Sequence, residues 1–256
     1  MHARLVALLP PLLLLAACSR PPRAVGGADT VQYTMREAAR TEGTCRLPPP
    51  DTTTSAPCVS ATVRWPEIDP RDSVLAEARS FLRRVASSSF RTGDDLGSPD
   101  SAVQAVVGER EAMFKDHKSY DVAWKLLRTV EVACNEPGHF GVRITSTQRT
   151  IDPHEITRTR FAGFDTRTGA PIGLEALLLP GTEARFRATT ARAYETSRRG
   201  ASGQVLVNPD SFPAPRSVLA CGDSLVLQYD VIQLGPHRVL GAEFAIKRDL
   251  VGALLK

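Results

Sequence analysis

The segment from residue 149 to residue 160 gathers the side chains best suited to chemistry. It holds one imidazole, two carboxylates and three guanidiniums: Arg149, Asp152, His154, Glu155, Arg158 and Arg160. Strand alternation from Thr157 to Phe161 puts Arg158 and Arg160 on one side, which would suit a carboxylate-bearing glycan or an acidic partner. The alternative is an ordinary edge strand that carries charge to block aggregation. The ligand-binding candidates are therefore His154, Glu155, Arg158 and Arg160.

Catalytic motifs are missing from the sequence. It contains no GxSxG elbow, HExxH motif, P-loop or dinucleotide-binding fingerprint. The carboxylate pairs Asp94-Asp95 and Glu109/Glu111 are interpreted as solvated, because the first lies in a Gly-rich loop and the second on the polar side of a helix. We therefore predict no catalytic residue and no cofactor.

The composition is typical of a folded domain and gives little support to a nucleic-acid partner. The chain has 256 residues, of which 42% are hydrophobic and 23% charged, enough for one globular domain or two small ones. The formal net charge is +4, and no run of four or more basic residues occurs. A nucleic-acid partner is therefore not predicted.

The amino terminus has the pattern of an export signal. Residues 1–17 combine one cation, Arg4, with an apolar run from Leu5 to Leu15 that is too short to cross a membrane. The sequence Leu15-Ala-Ala-Cys18 resembles the lipobox of bacterial lipoproteins, which implies cleavage before Cys18 and its acylation, for example with palmitate. A plain signal peptide with a chance cysteine is the alternative. Residues 18–29 then form the lipidated cysteine and a flexible tether.

The resemblance to lipoproteins implies a place in the cell envelope. In lipoprotein families an aspartate after the lipidated cysteine tends to hold the protein at the inner membrane, and this chain has Ser19. We therefore expect a membrane partner through the lipid anchor. The expected location is the periplasmic side of the outer membrane where two membranes exist.

Four cysteines remain after Cys18, and an even number in an exported chain predicts disulfides. Three connectivities exist for Cys45, Cys58, Cys134 and Cys221. We favour Cys45–Cys58, which closes a local loop, together with Cys134–Cys221. No metal site is predicted, because neither CxxC nor histidine spacing typical of zinc occurs.

The apolar periodicity alternates between strands and helices. Strand patterns cover residues 31–36, 59–65, 122–134, 142–144, 157–164, 218–220, 224–233 and 239–247, and one face of the strand at 122–134 carries Cys134 toward the core. Helical patterns begin at Asp69-Pro70 and Ser98-Pro99, with further helices over 174–179 and 182–198. Because strands and helices do not alternate strictly, we predict an α+β fold with an antiparallel sheet and helices packed on it.

Three stretches resemble the RsiV-type extracytoplasmic domain, which is also similar to the non-catalytic region of PdaC. They are Val63-Arg-Trp-Pro-Glu-Ile68, Phe164-Asp-Thr-Arg-Thr-Gly-Ala-Pro-Ile172 with Leu174 to Leu178, and Ser224 to Tyr229 with Ala242 to Ile246. Where that family has Gly-Gly-Ala-His, this chain has Ile151-Asp-Pro-His154 and keeps only the histidine. The resemblance divides the module into an N-terminal part, 30–150, and a C-terminal part, 151–256.

This resemblance implies a binding function, since the RsiV-type domain binds lysozyme outside the cell. We therefore expect a lipid-anchored, non-enzymatic envelope lipoprotein that binds a macromolecule or glycan. The expected partner is a lysozyme-like muramidase or peptidoglycan. An envelope hydrolase with an unrecognised active site and a structural lipoprotein are the alternatives.

Overall fold

The computed structural model describes residues 30–43, 58–114, 123–150, 155–198, 212–234 and 237–256. The strands of this part of the chain are β1 (Tyr33–Gly43), β2 (Cys58–Ile68), β3 (Trp124–Glu136), β4 (His139–Arg149), β5 (Ile156–Asp165), β6 (Pro171–Ile172), β7 (Ser217–Cys221), β8 (Ser224–Leu234) and β9 (His237–Lys247). The helices are α1 (Ala76–Ser87), α2 (Pro99–Phe114), α3 (Leu174–Leu177) and α4 (Glu183–Arg198). The predicted α+β class is confirmed.

The first sheet has six strands in sequence order, β1-β2-β3-β4-β5-β6. Every neighbouring pair is antiparallel except β2 and β3, which are parallel. A parallel pair needs a crossover connection, and here α1 and α2 supply it. The sheet is therefore mostly antiparallel. The two helices that cover it, α1 and α2, lie between β2 and β3 in the sequence.

Helices α1 and α2 cover one face of the first sheet. The buried residues of α1 include Leu82 and Val85, which share a core with Val130, Ile144 and Phe164 of the sheet. The valines of α2 pack instead on β2: Val103, Val106 and Val107 lie against Val59, Ala61 and Val63. The alternating pattern of β2 thus places its small apolar side chains under this helix.

The second sheet contains three antiparallel strands, β7-β8-β9, where the sequence analysis predicted a single sheet. One of its faces builds a core with α4 and the carboxyl-terminal residues. The centre of this core is aromatic. Each ring of Tyr194, Phe212, Tyr229 and Phe244 contacts two of the others, and Tyr229 stacks on Phe244 with centroids 5.5 Å apart.

Strand β7 lies across the face of the first sheet that the helices leave open. Cys134 of β3 forms a disulfide with Cys221 of β7, and Leu219 packs between Cys134 and Phe161. Gly141 is required at this contact, because a Cβ there would collide with Leu219. Arg143 forms an ion pair with Glu243 at 2.8 Å. The two sheets are thus joined covalently, by packing and by charge.

A clamp holds the backbone of Val31, near the start of the described residues. The Asn135 amide donates to the Val31 carbonyl at 3.0 Å and accepts from the Val31 N–H at 2.9 Å. Val31 itself is buried in the core below α1. The start of the described chain is therefore fixed to β3, the third strand of the sheet.

Two predictions about the elements are wrong in detail. Helix α1 begins at Ala76 rather than at Asp69-Pro70, because the Asp69 carboxylate binds Arg71 within a turn and Asp72 accepts from the Leu75 N–H. Cys134 is buried but does not share a face with Val130, because the register of β3 on β4 shifts between Val132 and Cys134. This bulge turns Cys134 toward the second sheet.

The other described elements lie where they were predicted, but β1 and β4 are longer than the predicted strands 31–36 and 142–144, and the two-residue β6 was not predicted. Ser98 caps α2 by accepting from the Ser101 N–H at 3.0 Å. The predicted turn at Asp165–Gly169 forms, and Gly169 adopts φ +75° with no room for a Cβ against the Val74 carbonyl. No helix in the described part of the chain is long and apolar enough to cross a membrane.

Candidate arginine site at the edge of the first sheet

Strand β5 carries the two predicted arginines at the edge of the first sheet. Strand β4 pairs with it along almost its whole length, whereas β6 covers only Gly163 and Phe164. Arg158 and Arg160 are exposed and lie opposite Ser146 and Ile144. Alternation puts both guanidiniums on the face that carries α1, beyond the area that this helix covers.

A third arginine, Arg128, lies on the same face and is fully enclosed. Its guanidinium donates to the carbonyls of Val85, Ser88 and Ser89 at 3.0, 2.6 and 3.2 Å, and it stacks over the Phe90 ring at 4.4 Å. These carbonyls belong to the carboxyl-terminal end of α1, where helix acceptors lack partners. Arg128 therefore caps α1 and ties it to the sheet.

Burial and like charge both act on the arginines of this region. Desolvation lowers the pKa of Arg128 to about 10, and the charge of Arg160 lowers it further in the same direction. Desolvation also lowers the pKa of Arg160, with a second contribution from Arg216. With a pKa of about 10, Arg128 stays protonated at neutral pH. The region therefore concentrates positive charge where the surrounding protein screens it less than water would.

Arg216 joins the site through the contact between β5 and β7. The Phe161 N–H donates to the Ser217 hydroxyl at 2.9 Å. Arg160 and Arg216 each come one residue before this contact in the sequence, so the contact brings their backbones close together. Arg216 forms an exposed ion pair with Asp230 at 2.5 Å. Among the described residues, no carboxylate forms an ion pair with Arg158 or Arg160.

A cavity of about 330 Å³ opens at this point, and we call it the edge cleft. It lies between α1, β5, the start of α3 and the residues before β7. Its walls are largely apolar, and its lining includes three charged side chains, Glu77, Arg84 and Arg216. The apolar wall is formed chiefly by Phe81, Phe161, Phe164, Leu174, Pro215 and Val218. An apolar pocket with a few charged groups is the usual form of a small-ligand site.

A larger cavity, of about 620 Å³, lies between α1 and the first two strands. Its lining includes Trp65, Arg36 and Arg79. These two arginines are already engaged within the protein. Arg36 pairs with Glu67 at 2.6 Å, and Arg79 donates to two backbone carbonyls. Arg83 also lines this cavity, and Arg216 of the edge cleft is paired with Asp230 as Arg36 is with Glu67, so charge alone does not distinguish the two cavities.

The structure brings together only part of the predicted ligand set. Arg158 and Arg160 lie two residues apart on one face, whereas Glu155 is exposed just before β5 begins. At about 3.3 Å per residue, Glu155 and Arg160 are about 16 Å apart along the strand. His154 lies outside the described residues, as do Cys18 and Cys45. Only an extended ligand would contact Glu155 and Arg160 together.

The cysteines among the described residues form disulfides. Cys134 and Cys221 are bonded to each other, as predicted, and Cys58 is disulfide-bonded as well. Glu136 lies beside Cys134 and Cys221, and its carboxylate accepts from the Gly222 N–H at 2.9 Å. Zinc binds thiolates, and these two sulfurs are already bonded to each other. The group therefore acts as a link between the sheets.

Arg84, Arg128 and Arg216 were not among the site residues predicted from the sequence. Arg128 had a detectable signal, because it occupies the apolar side of the alternating pattern from Trp124 to Val130. Arg84 is a polar-face residue of a helix, and Arg216 precedes a strand about 130 residues later. Nothing in the sequence alone links these two positions, because the packing of β7 on β5 brings them to one cleft.

Comparisons with known proteins identify the fold. No protein-family model matches the sequence, and no curated protein matches it. The chain is similar to the crystal structure of a DUF3298 family protein from Pseudomonas aeruginosa PAO1, with 17% identity, a TM-score of 0.57, and coverage of 88% of this chain and 94% of that chain. A DUF3298 family member from Bacteroides fragilis NCTC 9343 is 13% identical, with a TM-score of 0.58 and coverage of 89% and 95%.

These structures share the α+β architecture of this chain. DUF3298 proteins are related to the RsiV/PdaC-type domain, so the fold expected from the sequence resemblance is the fold observed. At 17% and 13% identity the likeness concerns the fold alone.

Proposed function

We propose that this protein is a lipid-anchored, non-enzymatic envelope protein whose folded domain binds peptidoglycan through the edge of β5. The observation that carries the proposal is the pair of exposed arginines, Arg158 and Arg160, that no described carboxylate neutralises. Guanidiniums recognise carboxylates by paired hydrogen bonds, and peptidoglycan presents carboxylates at regular intervals. The charge of the site thus complements that of the proposed ligand.

The contrast with other exposed arginines supports this assignment. Arg40 and Arg64, on the first two strands, pair with Glu42 and Glu37 at 2.8 and 2.5 Å. Charge at that edge of the sheet is therefore balanced within the protein, whereas charge at β5 is available to a ligand. A lysozyme-like muramidase is the other expected partner, and a muramidase with a basic surface would be repelled by this edge.

Cosedimentation with insoluble peptidoglycan tests the proposal. The protein without residues 1–23 retains every described residue and should sediment with the polymer. Arg158→Gln/Arg160→Gln should weaken its apparent affinity by about tenfold or more, and salt should weaken the wild type more than this variant. Arg40→Gln/Arg64→Gln is the matched control, because it removes the same charge from strands at the opposite edge and should bind like the wild type.

Three outcomes would contradict the proposal. The first is equal sedimentation of the β5 variant and the control, with both folded by circular dichroism. The second is selective binding of a muramidase with no binding of peptidoglycan. The third is turnover of any substrate in a panel of envelope hydrolase assays, which would restore the enzymatic alternative.

Lipid anchoring is tested separately. Cys18→Ser in the full chain should abolish palmitate labelling and release the protein from membranes into the soluble fraction. Ser19→Asp keeps the cysteine and should retain labelling. Labelling that persists in Cys18→Ser would contradict the assignment of the anchor.

A further inference from the structure

We infer that the edge cleft binds the free carboxyl terminus of a peptide whose last side chain is apolar. This refines the proposed function, because it names the part of the ligand that enters the protein. The inference depends on three features of the cleft: its charge balance, its size and the state of the β5 backbone along its floor.

The charge balance of the cleft favours a carboxylate. Arg84 of α1 and Arg216 before β7 line the cleft from opposite sides, and Arg160 is adjacent to Arg216. Three carboxylates in the described chain lie near these arginines: Glu77, which also lines the cleft, Asp230, which pairs with Arg216, and Asp95, which interacts with Arg84. Of the charged side chains that line the cleft itself, two are guanidiniums and one is a carboxylate. This positive excess is what a ligand carboxylate would neutralise.

The size and walls of the cleft limit what accompanies that carboxylate. A volume of about 330 Å³ is near the lower end for ligand sites, which run from about 300 to 1,000 Å³. It suits one or two amino-acid residues rather than a sugar chain. Phe81, Phe164 and Leu174 provide an apolar surface for a side chain. A peptide with an apolar last residue would place its side chain against this surface and its carboxylate near the arginines.

The backbone of β5 excludes the main alternative, which is addition of a ligand strand within the cleft. The Phe161 N–H is occupied by the Ser217 hydroxyl, and Gly163 and Phe164 pair with β6. The strand edge that forms the cleft floor thus has few free groups for a ladder. Recognition there must come from side chains, and the arginines are the charged donors present.

A matched pair of peptides tests the inference. Acetyl-alanyl-leucine, as the free acid and as the carboxyl-terminal amide, is titrated into the protein and followed by ¹⁵N NMR. The acid should bind with a Kd at least tenfold lower than the amide, and it should shift the amide signals of Gly163, Gly173 and Ser217. Equal affinities of acid and amide would overturn the inference, as would the absence of shifts with either peptide.

Two single variants locate the carboxylate. Arg216→Gln should weaken binding of the acid at least tenfold and leave the amide unaffected. Asp230→Asn frees Arg216 from its ion pair and should strengthen binding of the acid, whereas Arg64→Gln, a distant exposed arginine, should change neither. Unchanged acid binding in a folded Arg216→Gln protein would overturn the inference.

The outcomes separate this inference from the proposed function. If peptidoglycan binding depends on Arg158 and Arg160 but not on Arg216, and the dipeptide acid does not bind, the proposed function stands and the inference about the edge cleft is wrong. If the dipeptide acid binds but the protein does not sediment with peptidoglycan, the inference about the edge cleft stands and the proposed function is wrong.

Discussion

Arg128 and Arg160 occupy the same face of the first sheet on strands two apart, yet their surroundings are opposite. Arg128 lies under the end of α1 and donates to three backbone carbonyls and to two serine hydroxyls. Arg160 lies beyond the helix, beside another arginine, without an ion pair in the described chain. The same residue type thus stabilises the fold in one region and provides exposed charge in the other.

The difference between the two regions arises from the neighbouring elements. Helix α1 ends over β3, so that its terminal acceptors need donors, and Arg128 supplies them. Strand β5 has only the two-residue β6 beyond it, and β7 approaches from the opposite face with Arg216. No acceptor-rich helix end reaches Arg160. The unpaired charge of Arg160 on β5 therefore results from the arrangement of the neighbouring elements, and it is consistent with a role in binding.

Loss of the enclosed guanidinium should produce the largest effect. Arg128→Met keeps the apolar stem but removes the guanidinium donor from three carbonyls: Ser88 loses the donor described for it, whereas Val85 keeps the Ser88 hydroxyl and Ser89 keeps the Gly93 N–H. We expect the free energy of unfolding to fall by about 3 kcal/mol in chemical denaturation. Arg64→Met, at an exposed ion pair, should change it by less than about 1 kcal/mol. Equal stability of the wild type and Arg128→Met would contradict the capping role.

Removal of the link between the sheets should have a slightly smaller effect. Cys134→Ser/Cys221→Ser opens a disulfide between residues 87 positions apart, and we expect a loss of about 2 kcal/mol or more in the free energy of unfolding. Because Cys221 ends the strand that begins beside Arg216, peptide binding in the edge cleft should weaken as well. Peptide mapping without reductant should recover the linked peptides, and free thiols at both positions would contradict the assignment.

Removal of one acceptor should give an intermediate effect. The Ser88 hydroxyl accepts from Arg128 at 2.9 Å and donates to the Val85 carbonyl at 3.0 Å. Ser88→Ala should lower the free energy of unfolding by about 1 kcal/mol, because Arg128 keeps its other acceptors. Ser80→Ala, at an exposed position of α1, serves as the control and should be nearly neutral. A loss as large as that of Arg128→Met would mean that the network fails as a unit.

Substitution of the edge arginine should have the smallest effect on stability. Arg160→Gln removes a desolvated charge that Arg216 repels, so the free energy of unfolding should change by less than about 0.5 kcal/mol or rise slightly. Thermal and chemical denaturation measure this. A loss above about 1 kcal/mol would assign Arg160 a structural role and remove the contrast with Arg128.

Most elements of the fold could be predicted from the sequence because their signals are local. Period-two runs located β2 and β5, apolar and β-branched composition located β8, and the Ser98-Pro99 pair located the start of α2. The start of α1 was missed because Asp69-Pro70 has the composition of a helix cap, whereas the Asp69 carboxylate stabilises a turn with Arg71. Local composition alone does not distinguish these two uses of an aspartate.

The candidate site was less predictable because it depends on contacts between distant segments. Alternation in β5 was enough to place Arg158 and Arg160 on one face. The bulge that redirects Cys134 and the approach of β7 that adds Arg216 both arise from packing between sheets. A strict period of two does not anticipate a bulge, and no spacing in the chain relates Arg84 to Arg216.

The clamp on Val31 has a mechanical consequence for a protein held at its amino terminus. Strand β1 is at the edge of the sheet, and a strand pulled from its end at an edge would normally unzip one hydrogen bond at a time. Here the Asn135 side chain holds both backbone groups of Val31, and Asn135 belongs to β3. Tension along the proposed tether would therefore be carried first into the interior of the sheet, and the edge strand would be shielded from that load.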